Sequence, residues 1–294
     1  MIDLETKRIL ITGGCGFIGS NLANTLDYQG HEVYICDNLF LGSQDNILND
    51  LYYIPVLTYC KIKQYDVVYH LGNYSSAPMY HTDTIDRCQN TITPFISLLG
   101  ECSQFNIPLI YASSSSLQGP LTYYSSMREC FETLAHTFHN ERQHNNIGMR
   151  FFSVYGPNEK HKGQYANCIT QFLWAMLKNE DIEIYGDGSQ TRDFVYVSDV
   201  VNALILAMDY DTPGSHVFEV GTGMSYSFNQ IFQLLSKLTG YTKDPKYVSN
   251  PITNYVQDTL SLTHATTREH LGWLPTVSVH DGIKKIYEFY NGEP

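Results

Sequence analysis

The sequence predicts an α/β protein in which a doubly wound parallel sheet is joined to a smaller, interleaved C-terminal portion. Three observations indicate this fold. A short apolar run at 8–12 leads into closely spaced glycines and then into a helical pattern. Later apolar runs at 66–72, 107–116 and 147–155 alternate with helical stretches, which is typical of parallel strands joined by crossover helices. After residue 156 the alternation gives way to loops, short strands and helices.

The first predicted element is a strand, a glycine turn and a helix in direct succession. Gly13, Gly16 and Gly19 follow the strand, and Phe17 and Ile18 begin the helix. In a dinucleotide-binding (Rossmann) fold, such glycines make the tight turn, let a pyrophosphate approach the main chain, and allow the helix to pack closely on the strand. The helix N-terminus offers N–H groups to the phosphates. We expect these five residues to bind a dinucleotide.

The second predicted strand, at 32–36, ends at Asp37, about 20 residues beyond the glycines. A dinucleotide-binding fold places there the carboxylate that accepts hydrogen bonds from the ribose hydroxyls. A strand-end aspartate that only makes a turn is the simpler alternative. No Arg or Lys lies between Asp37 and Lys61. Because a 2′-phosphate would meet a carboxylate and no cation, we expect NAD rather than NADP.

Two further strands of the predicted sheet end in residues suited to a ligand. One continues into Leu71 and Gly72, and a later one ends in four serines that include Ser114. The carboxyl ends of parallel strands meet at one edge of the sheet, where doubly wound folds bind ligands. Asn90 opens the helix of a further crossover. We therefore expect these residues to belong to the same site as the glycine turn.

The composition limits the class of protein. With 294 residues, 43% of them hydrophobic, the chain can form one large domain or two joined ones. The net charge of −12 argues against nucleic acid or an anionic membrane as the main partner. A charged start runs directly into the first strand, and no apolar run approaches the ~20 residues of a membrane span. We expect a cytoplasmic protein with no signal peptide.

The cysteines and histidines predict neither a disulfide framework nor a metal site. The seven cysteines are dispersed, odd in number and never spaced as C-x-x-C, so we interpret them as reduced thiols. His136 and His139 are three residues apart on a predicted helix, and His144 follows. Because no cysteine or carboxylate cluster accompanies them, a solvated or packed helix face is the better interpretation, and we expect no metal.

Several segments, in order along nearly the whole chain, resemble the extended short-chain dehydrogenase/reductase family, with nucleotide-sugar epimerases as the closest branch. The segments are 12–19, Asp37-Asn38-Leu39, His70-Leu71, the serine-rich strand end, Tyr124-x-x-x-Arg128, 155–157, 186–197 and 220–223. Within that branch the chain resembles UDP-glucose 4-epimerase and ADP-heptose 6-epimerase. The resemblance implies tightly held NAD that oxidises a nucleotide sugar transiently and then returns the hydride, with no net redox change.

The resemblance also implies roles for residues near the serine-rich strand end. Tyr124 is the acid/base, Ser114 holds the reacting hydroxyl, and Asn38, Tyr124 and Arg128 contact the cofactor. Tyr124 and Arg128 share one face of a helix predicted for 124–145, although an exposed contact between neighbours is the simpler interpretation. The family has lysine where this chain has Arg128. Arginine keeps the positive charge that a tyrosine base needs, but its guanidinium cannot give up a proton.

Four more candidates follow from the resemblance. Lys162 matches a second base of the ADP-heptose 6-epimerases, although a solvated loop lysine is the alternative. Ser153 stands where the family has a substrate-contacting Asn. Arg192 resembles a residue that grips the nucleotide pyrophosphate, which suits an arginine fork, and a surface ion pair is the simpler alternative. Tyr255 matches a substrate-contacting tyrosine.

The implied organisation has two interleaved domains. An NAD-binding domain covers 1–155 and 187–224, and a nucleotide-sugar-binding domain covers 156–186 and 225–294. By the same resemblance, a homodimer pairs the helices at 90–104 and 124–145.

Three functional hypotheses remain open at this stage. The first is an NAD-dependent nucleotide-sugar epimerase. The second is a UDP-uronic acid decarboxylase, for which Asp37-Asn-Leu-x-x-Gly42 is equally suitable. The third is a protein that binds NAD or a nucleotide sugar without turnover, because of Arg128 and the short loops at 39–65 and 115–123. The nucleotide base, the sugar and the inverted carbon do not follow from the sequence.

Overall fold

The structure is a computed structural model that describes residues 5–56, 61–250, 257–262 and 264–292. Its strands, in chain order, are β1 (Arg8–Thr12), β2 (Glu32–Cys36), β3 (Tyr52–Ile54), β4 (Val67–His70), β5 (Leu109–Ser114), β6 (Asn146–Phe151), β7 (Ser153–Tyr155), β8 (Glu183–Tyr185), β9 (Thr191–Tyr196), β10 (Ser215–Val220), β11 (Ser225–Ser227) and β12 (Lys246–Val248). Its helices are α1 (Phe17–Tyr28), α2 (Thr84–Phe105), α3 (Tyr123–Arg142), α4 (Cys168–Leu177), α5 (Val197–Met208), α6 (Phe228–Thr239), α7 (His264–Leu271) and α8 (Val279–Asn291).

The central sheet has seven parallel strands in the order β3-β2-β1-β4-β5-β6-β10. From β1 the chain moves outward in one direction to β3, returns to β4, and then moves outward in the other direction. The strand order therefore reverses between β1 and β4, and doubly wound sheets bind ligands outside the carboxyl ends at such a point. This topology confirms the predicted doubly wound α/β fold.

Helices cover both faces of the central sheet. On one face, α1 and α5 contribute Leu22 and Leu204 to a core shared with the sheet. On the other face, α2 and α3 bring Phe95 and Phe131 together, with ring centroids 3.9 Å apart. Both rings are fully buried, and burial of each stabilises the fold by about 1.5–3 kcal/mol. This packing holds α3, and therefore its N-terminal residues, at a fixed position over the carboxyl edge.

The C-terminal portion adds two small sheets and a core of its own. One sheet has the order β11-β9-β7, and β8 pairs with β12 in the other. The helices α4, α6 and α8 enclose a buried cluster that includes Leu173, Leu235 and Ile286. None of the helices in the described residues is both long and apolar enough to span a membrane.

The strand predicted at 147–155 is two strands, β6 and β7. At Phe152, the backbone N–H donates to Val220 O, and the Val154 N–H donates back to Phe152 O at 2.9 Å in a tight turn. The chain leaves the central sheet at this turn, so β7 pairs with β9 instead. Residues 153–155 and 191–196 therefore belong to a small sheet rather than to the central one. The division into two domains stays a prediction.

Candidate active site

One cleft of about 890 Å³ opens along the carboxyl ends of β1, β2, β4 and β5 and extends toward the C-terminal portion. A cleft of this size accommodates extended small molecules. Tyr255 lies outside the described residues. Every other predicted site residue lines the cleft: Gly13, Gly16, Phe17, Ile18, Gly19, Asp37, Asn38, Leu71, Gly72, Asn90, Ser114, Tyr124, Arg128, Ser153, Lys162 and Arg192.

The glycine turn leaves the main chain open to a ligand. Gly13 has φ +72°, and a Cβ there would lie 2.4 Å from the Cα of Gly72. A Cβ at Gly19 would lie 2.1 Å from the Gly13 carbonyl oxygen, so no larger side chain fits. No side chain caps the start of α1 after Gly16, and its first N–H groups point to the cleft end of the helix. These features fit the pyrophosphate of a dinucleotide.

Asp37 is held in place at the end of β2. Its Oδ2 accepts from the Cys15 N–H at 3.0 Å, and its Oδ1 accepts from the Leu39 N–H at 2.8 Å. Burial raises the pKa of Asp37, while these two amide hydrogen bonds oppose that rise. Each carboxylate oxygen has a second lone pair, so the group can still accept from ribose hydroxyls.

His70 forms part of the cleft floor at the end of β4. The ring is buried, and its Nδ1 is hydrogen-bonded to Thr12 Oγ1 at 2.8 Å while its Nε2 lies 2.9 Å from Asn73 Nδ2. Burial, with a smaller contribution from the charge of Arg128, lowers the pKa of His70 to about 3. The imidazole is therefore neutral near pH 7 and acts as a structural link between β1 and the loop after β4.

The neutral state of His70 predicts a loss of stability in acid. An unfolded histidine has a pKa near 6.5, so between about 6.5 and 3 the unfolded chain binds a proton that the folded protein does not. This contribution is complete above pH 6.5 and is lost as the pH falls, by at most about 1.4 kcal/mol per pH unit. We expect the melting temperature to decrease as the pH is lowered from 7 to 5, and we expect a smaller decrease in His70→Gln.

His136→Gln, at an exposed site on α3, is the control. Equal slopes for His70→Gln and the unaltered protein would contradict this interpretation.

Tyr124 and Arg128 lie together at the start of α3. Thr122 caps this helix in a reciprocal pair with Ser125, which fixes the first turn. Arg128 is only 3% exposed, so the alternative of an exposed contact is wrong. Its Cζ lies 5.0 Å from the Tyr124 ring centroid. The helix ends at Arg142 rather than at 145, because Gln143 turns into the left-handed region at φ +56°.

The guanidinium of Arg128 is a buried cation without an acidic partner among the described residues. It donates to Tyr74 O at 2.7 Å and more weakly to Ala112 O at 3.5 Å. Its Nε has no hydrogen-bond partner in the part of the chain that the structure describes. A buried charge without a counter-ion is costly. The arrangement therefore favours an anionic group or a developing negative charge near the Tyr124 ring.

Ser114 ends β5 and begins the short 3-10 turn Ser115–Gln118. Its Oγ accepts from the Ser116 N–H at 3.1 Å, which anchors the side chain at the cleft wall. A hydroxyl has one donor and two acceptor sites. After this one bond, the hydroxyl of Ser114 can still donate to and accept from a ligand.

Five buried polar atoms of cleft-lining residues have no hydrogen-bond partner among the described residues: Asn73 Oδ1, Ser76 Oγ, Ser116 Oγ, Arg128 Nε and Thr259 Oγ1. Buried polar groups are nearly always hydrogen-bonded, and each unsatisfied one costs about 1–3 kcal/mol. Sequence reasoning identified only Arg128 as a site residue. Ser76 and Ser116 follow strand ends, and this position could have indicated that they belong to the site. Thr259 comes from a distant segment, and no sequence pattern there indicates a site residue. Because these atoms are buried from solvent as well, the Ser76, Ser116 and Thr259 hydroxyls reach a ligand in the cleft by rotation of their side chains, which would suit a ligand with many hydroxyl groups.

Lys162 and Arg192 line the cleft from the C-terminal side. Lys162 Nζ lies 3.2 Å from Oε1 of the buried Glu159 and 5.1 Å from the Phe17 ring centroid. A base at this position would have to leave the Glu159 carboxylate, so the second-base role stays a prediction. Arg192 on β9 donates to Thr191 O at 2.7 Å and to Gln257 O at 3.0 Å.

Comparison with known proteins identifies the family. Residues 9–221 match the model of the NAD dependent epimerase/dehydratase family. The chain is 29% identical to the UDP-N-acetyl-alpha-D-glucosaminuronate decarboxylase of Bacillus cytotoxicus, over 97% of this chain and 98% of the relative. It is 28% identical to the ADP-L-glycero-D-manno-heptose-6-epimerase of Alkalilimnicola ehrlichii, over 87% and 90%. The solved UDP-glucose 4-epimerase of Thermotoga maritima, determined with UDP-glucose, superposes with a TM-score of 0.89, 28% identity and coverage of 97% and 98%.

The chain therefore belongs to the NAD dependent epimerase/dehydratase family, and NAD is its cofactor. This confirms the resemblance to the extended short-chain dehydrogenase/reductases and the expectation of NAD. The relatives include epimerases and a decarboxylase. Family membership thus supports an enzyme without distinguishing between these two reactions.

Proposed function

We propose that the chain is an NAD-dependent nucleotide-sugar epimerase. The observation that carries this proposal is one cleft lined by Tyr124, Arg128 and Ser114 together with the glycine turn, with Ser76, Ser116 and Thr259 on its wall, whose hydroxyls have no partner among the described residues. A sugar supplies hydroxyl groups that can hydrogen-bond to these hydroxyls, and the pyrophosphate of a nucleoside diphosphate supplies an anion for Arg192. The test is incubation of the purified protein with NAD and nucleotide sugars, with epimers detected by NMR.

The proposed reaction uses side chains at the start of α3 and the end of β5. When bound, NAD supplies a hydride acceptor that later returns the hydride. Tyr124 Oη removes the proton of the sugar hydroxyl that becomes a ketone, and it returns this proton when the hydroxyl forms again. Ser114 Oγ holds that hydroxyl by the donor and acceptor sites that remain to it. The Arg128 cation stabilises the negative charge on the phenolate while Tyr124 is deprotonated.

The remaining predicted contacts lie on the C-terminal side of the proposed substrate. Arg192 grips the pyrophosphate with its planar fork, and Ser153 and Tyr255 contact the sugar or nucleotide. Lys162 is the candidate second base on the opposite sugar face. These assignments rest on the family resemblance together with the position of the described residues on the cleft wall.

Thr259 gives a direct test of sugar binding. Thr259→Val keeps the shape but removes the unpartnered hydroxyl, so we expect KM for the nucleotide sugar to rise about 3–10-fold with kcat little changed. Thermal stability should hold or rise, because an unsatisfied buried hydroxyl is lost. The control is Thr267→Val: its buried hydroxyl donates to Glu219 O outside the cleft, so stability should fall by about 1 kcal/mol without a change in KM. An unchanged KM in Thr259→Val would contradict sugar contact there.

One observation favours a second function, the decarboxylation of a UDP-uronic acid. The Arg128 guanidinium is a cleft-lining cation without an acidic partner among the described residues, which suits a substrate carboxylate, and several relatives are decarboxylases. With NAD as the hydride acceptor, oxidation next to the carboxyl-bearing carbon would give a β-keto acid, which loses carbon dioxide and leaves its bonding electrons as an enolate. Protonation of the enolate gives a ketone, to which the hydride would then return. Release of carbon dioxide from UDP-glucuronate would show this reaction. The third hypothesis, binding without turnover, predicts a ligand-dependent rise in melting temperature and no product.

We also propose a homodimer through α2 and α3, following the family resemblance. The exposed side of α2 includes Ile96 at its centre, with 43% of its surface accessible. Light scattering during size-exclusion chromatography should give twice the monomer mass, and the monomer mass alone would contradict the proposal.

A further inference from the structure

An arginine at the edge of the cleft is stacked between two aromatic rings. Arg87 of α2 places its Cζ 4.5 Å from the ring centroid of Phe40 and 4.6 Å from that of Tyr74. The two rings contact each other edge to face, with centroids 5.4 Å apart. We call Phe40, Arg87 and Tyr74 the arginine stack.

The arginine stack joins three segments around the cofactor half of the cleft. Phe40 comes from the loop after β2, which also contains Asp37, and Tyr74 comes from the loop after β4. Both rings line the cleft. Arg87 is three residues before Asn90, which also lines the cleft, so the two lie on one side of α2. The stack therefore bridges the two loops between which the dinucleotide site opens.

The charge of Arg87 has no acidic partner in the part of the chain that the structure describes. Its guanidinium makes no ion pair or side-chain hydrogen bond there, and its contacts are the two rings. In a chain with a net charge of −12, a cation held this way is suited to an anionic ligand. Arginine N–H groups bind phosphate oxygens well while the planar group stays stacked on an aromatic ring.

The backbone beside Phe40 is strained. Leu39 has φ +56°, in the left-handed region that non-glycine residues rarely adopt. The turn is held by hydrogen bonds from the Leu39 N–H to Asp37 Oδ1 and from the Phe40 N–H to Asn38 Oδ1. Phe40 itself is 51% exposed, although it contacts Arg87 and Tyr74. A strained turn that keeps a half-exposed aromatic ring at a cleft edge is typical of a functional position.

We propose that the arginine stack closes the cofactor half of the cleft and slows the release of NAD. For NAD to leave past this edge, the loop after β2 has to separate from the loop after β4, which breaks both ring contacts of Arg87. The inference depends on the NAD dependence of the family, not on which sugar reaction the chain performs. It can therefore fail while the proposed epimerase activity holds, and the reverse is also true.

The test is the rate at which loaded protein loses NAD. Protein saturated with NAD is freed of excess nucleotide, diluted, and sampled over time for bound NAD by chromatography. We expect Arg87→Met to release NAD about tenfold faster, equivalent to about 1.4 kcal/mol. Arg87→Lys keeps the charge but loses the planar group that stacks on the rings. Its NAD release rate should lie between those of the unaltered protein and Arg87→Met. The control is Arg142→Met, whose Cζ lies 5.3 Å from the Phe138 ring centroid outside the cleft; its release rate should not change.

A second variant keeps the test decisive if Arg87→Met is poorly folded. Phe40→Ser changes a half-exposed ring in a loop and should release NAD several-fold faster. Because both residues act in one stack, the double variant should release NAD at about the rate of Arg87→Met, within roughly twofold. Release rates that match the unaltered protein in folded Arg87→Met and Phe40→Ser would overturn the proposal. So would a double variant whose effect is the product of the two single effects.

Discussion

Tyr124→Phe should lower kcat for nucleotide-sugar conversion by about 10²–10⁴-fold, the range for loss of a general acid–base group. The substitution removes only the phenolic oxygen. The ring can still pack against Arg128, whose Cζ lies 5.0 Å from its centroid, so folding should be preserved. Steady-state kinetics on a substrate that the protein converts would measure the change, and the melting temperature would serve as the structural check.

The matched control for this prediction is the neighbouring tyrosine. Tyr123 is 59% exposed and does not line the cleft, so Tyr123→Phe should leave kcat within about twofold of the unaltered protein. If Tyr124→Phe also kept full activity, Tyr124 would not be the acid/base.

Arg128→Met should give the second-largest loss, about 10²-fold in kcat, because it removes the cation that we propose stabilises the phenolate. Methionine approximates the length of the apolar stem, but the donor to Tyr74 O is lost. Arg128→Lys restores the charge and should recover activity to within about tenfold of the unaltered protein. Steady-state kinetics of the two variants side by side would measure the loss of activity and its recovery.

Two results would contradict the role given to Arg128. Full activity of Arg128→Met would show that no cation is needed there. Activity of Arg128→Lys well above that of the unaltered protein would show that the native guanidinium impairs turnover, as the hypothesis of binding without turnover requires. Arg142→Met, on the same helix but outside the cleft, controls for loss of an arginine on α3.

The cofactor half of the cleft could be predicted because its signals are local. Gly13 must adopt a positive φ beside Gly72, and Gly19 must approach the Gly13 carbonyl, so glycine is required at fixed spacing after a strand. Asp37 follows the next strand, about 20 residues beyond the glycine turn, where a dinucleotide-binding fold places its ribose-binding carboxylate. In a parallel sheet, the carboxyl ends of adjacent strands meet regardless of what lies between them, which is why Ser114 could be assigned to the same edge.

The contacts that close the cleft could not be predicted in the same way. Arg87, Phe40 and Tyr74 are brought together from one helix and two loops, with no periodic spacing between them. The absence of Arg and Lys between Asp37 and Lys61 suggested that no cation lies near the end of β2. The structure places Arg87 against Phe40 instead, because proximity along the chain does not limit proximity in the fold.

The unsatisfied polar atoms of the cleft and the ion pair of Lys162 with Glu159 could not be predicted from the sequence either. Thr259 reaches the cleft from a segment that runs beside β9, where Thr191 N–H donates to Gln257 O. The burial of Glu159, which decides what Lys162 contacts, depends on α4 and α8 packing around it. Such facts depend on tertiary packing and not on the local pattern.

The most direct test of the central claim is incubation of the purified protein with NAD and a panel of ADP-, UDP- and GDP-sugars, with NMR detection of epimers and of lost carbon dioxide. The account predicts an epimer peak from at least one nucleotide sugar, absent with Tyr124→Phe and present with Tyr123→Phe. Carbon dioxide release from a UDP-uronic acid, without an epimer from any sugar, would contradict the epimerase and establish the decarboxylase. Binding of the sugars with no product from either the unaltered protein or Arg128→Lys would contradict both enzymatic proposals.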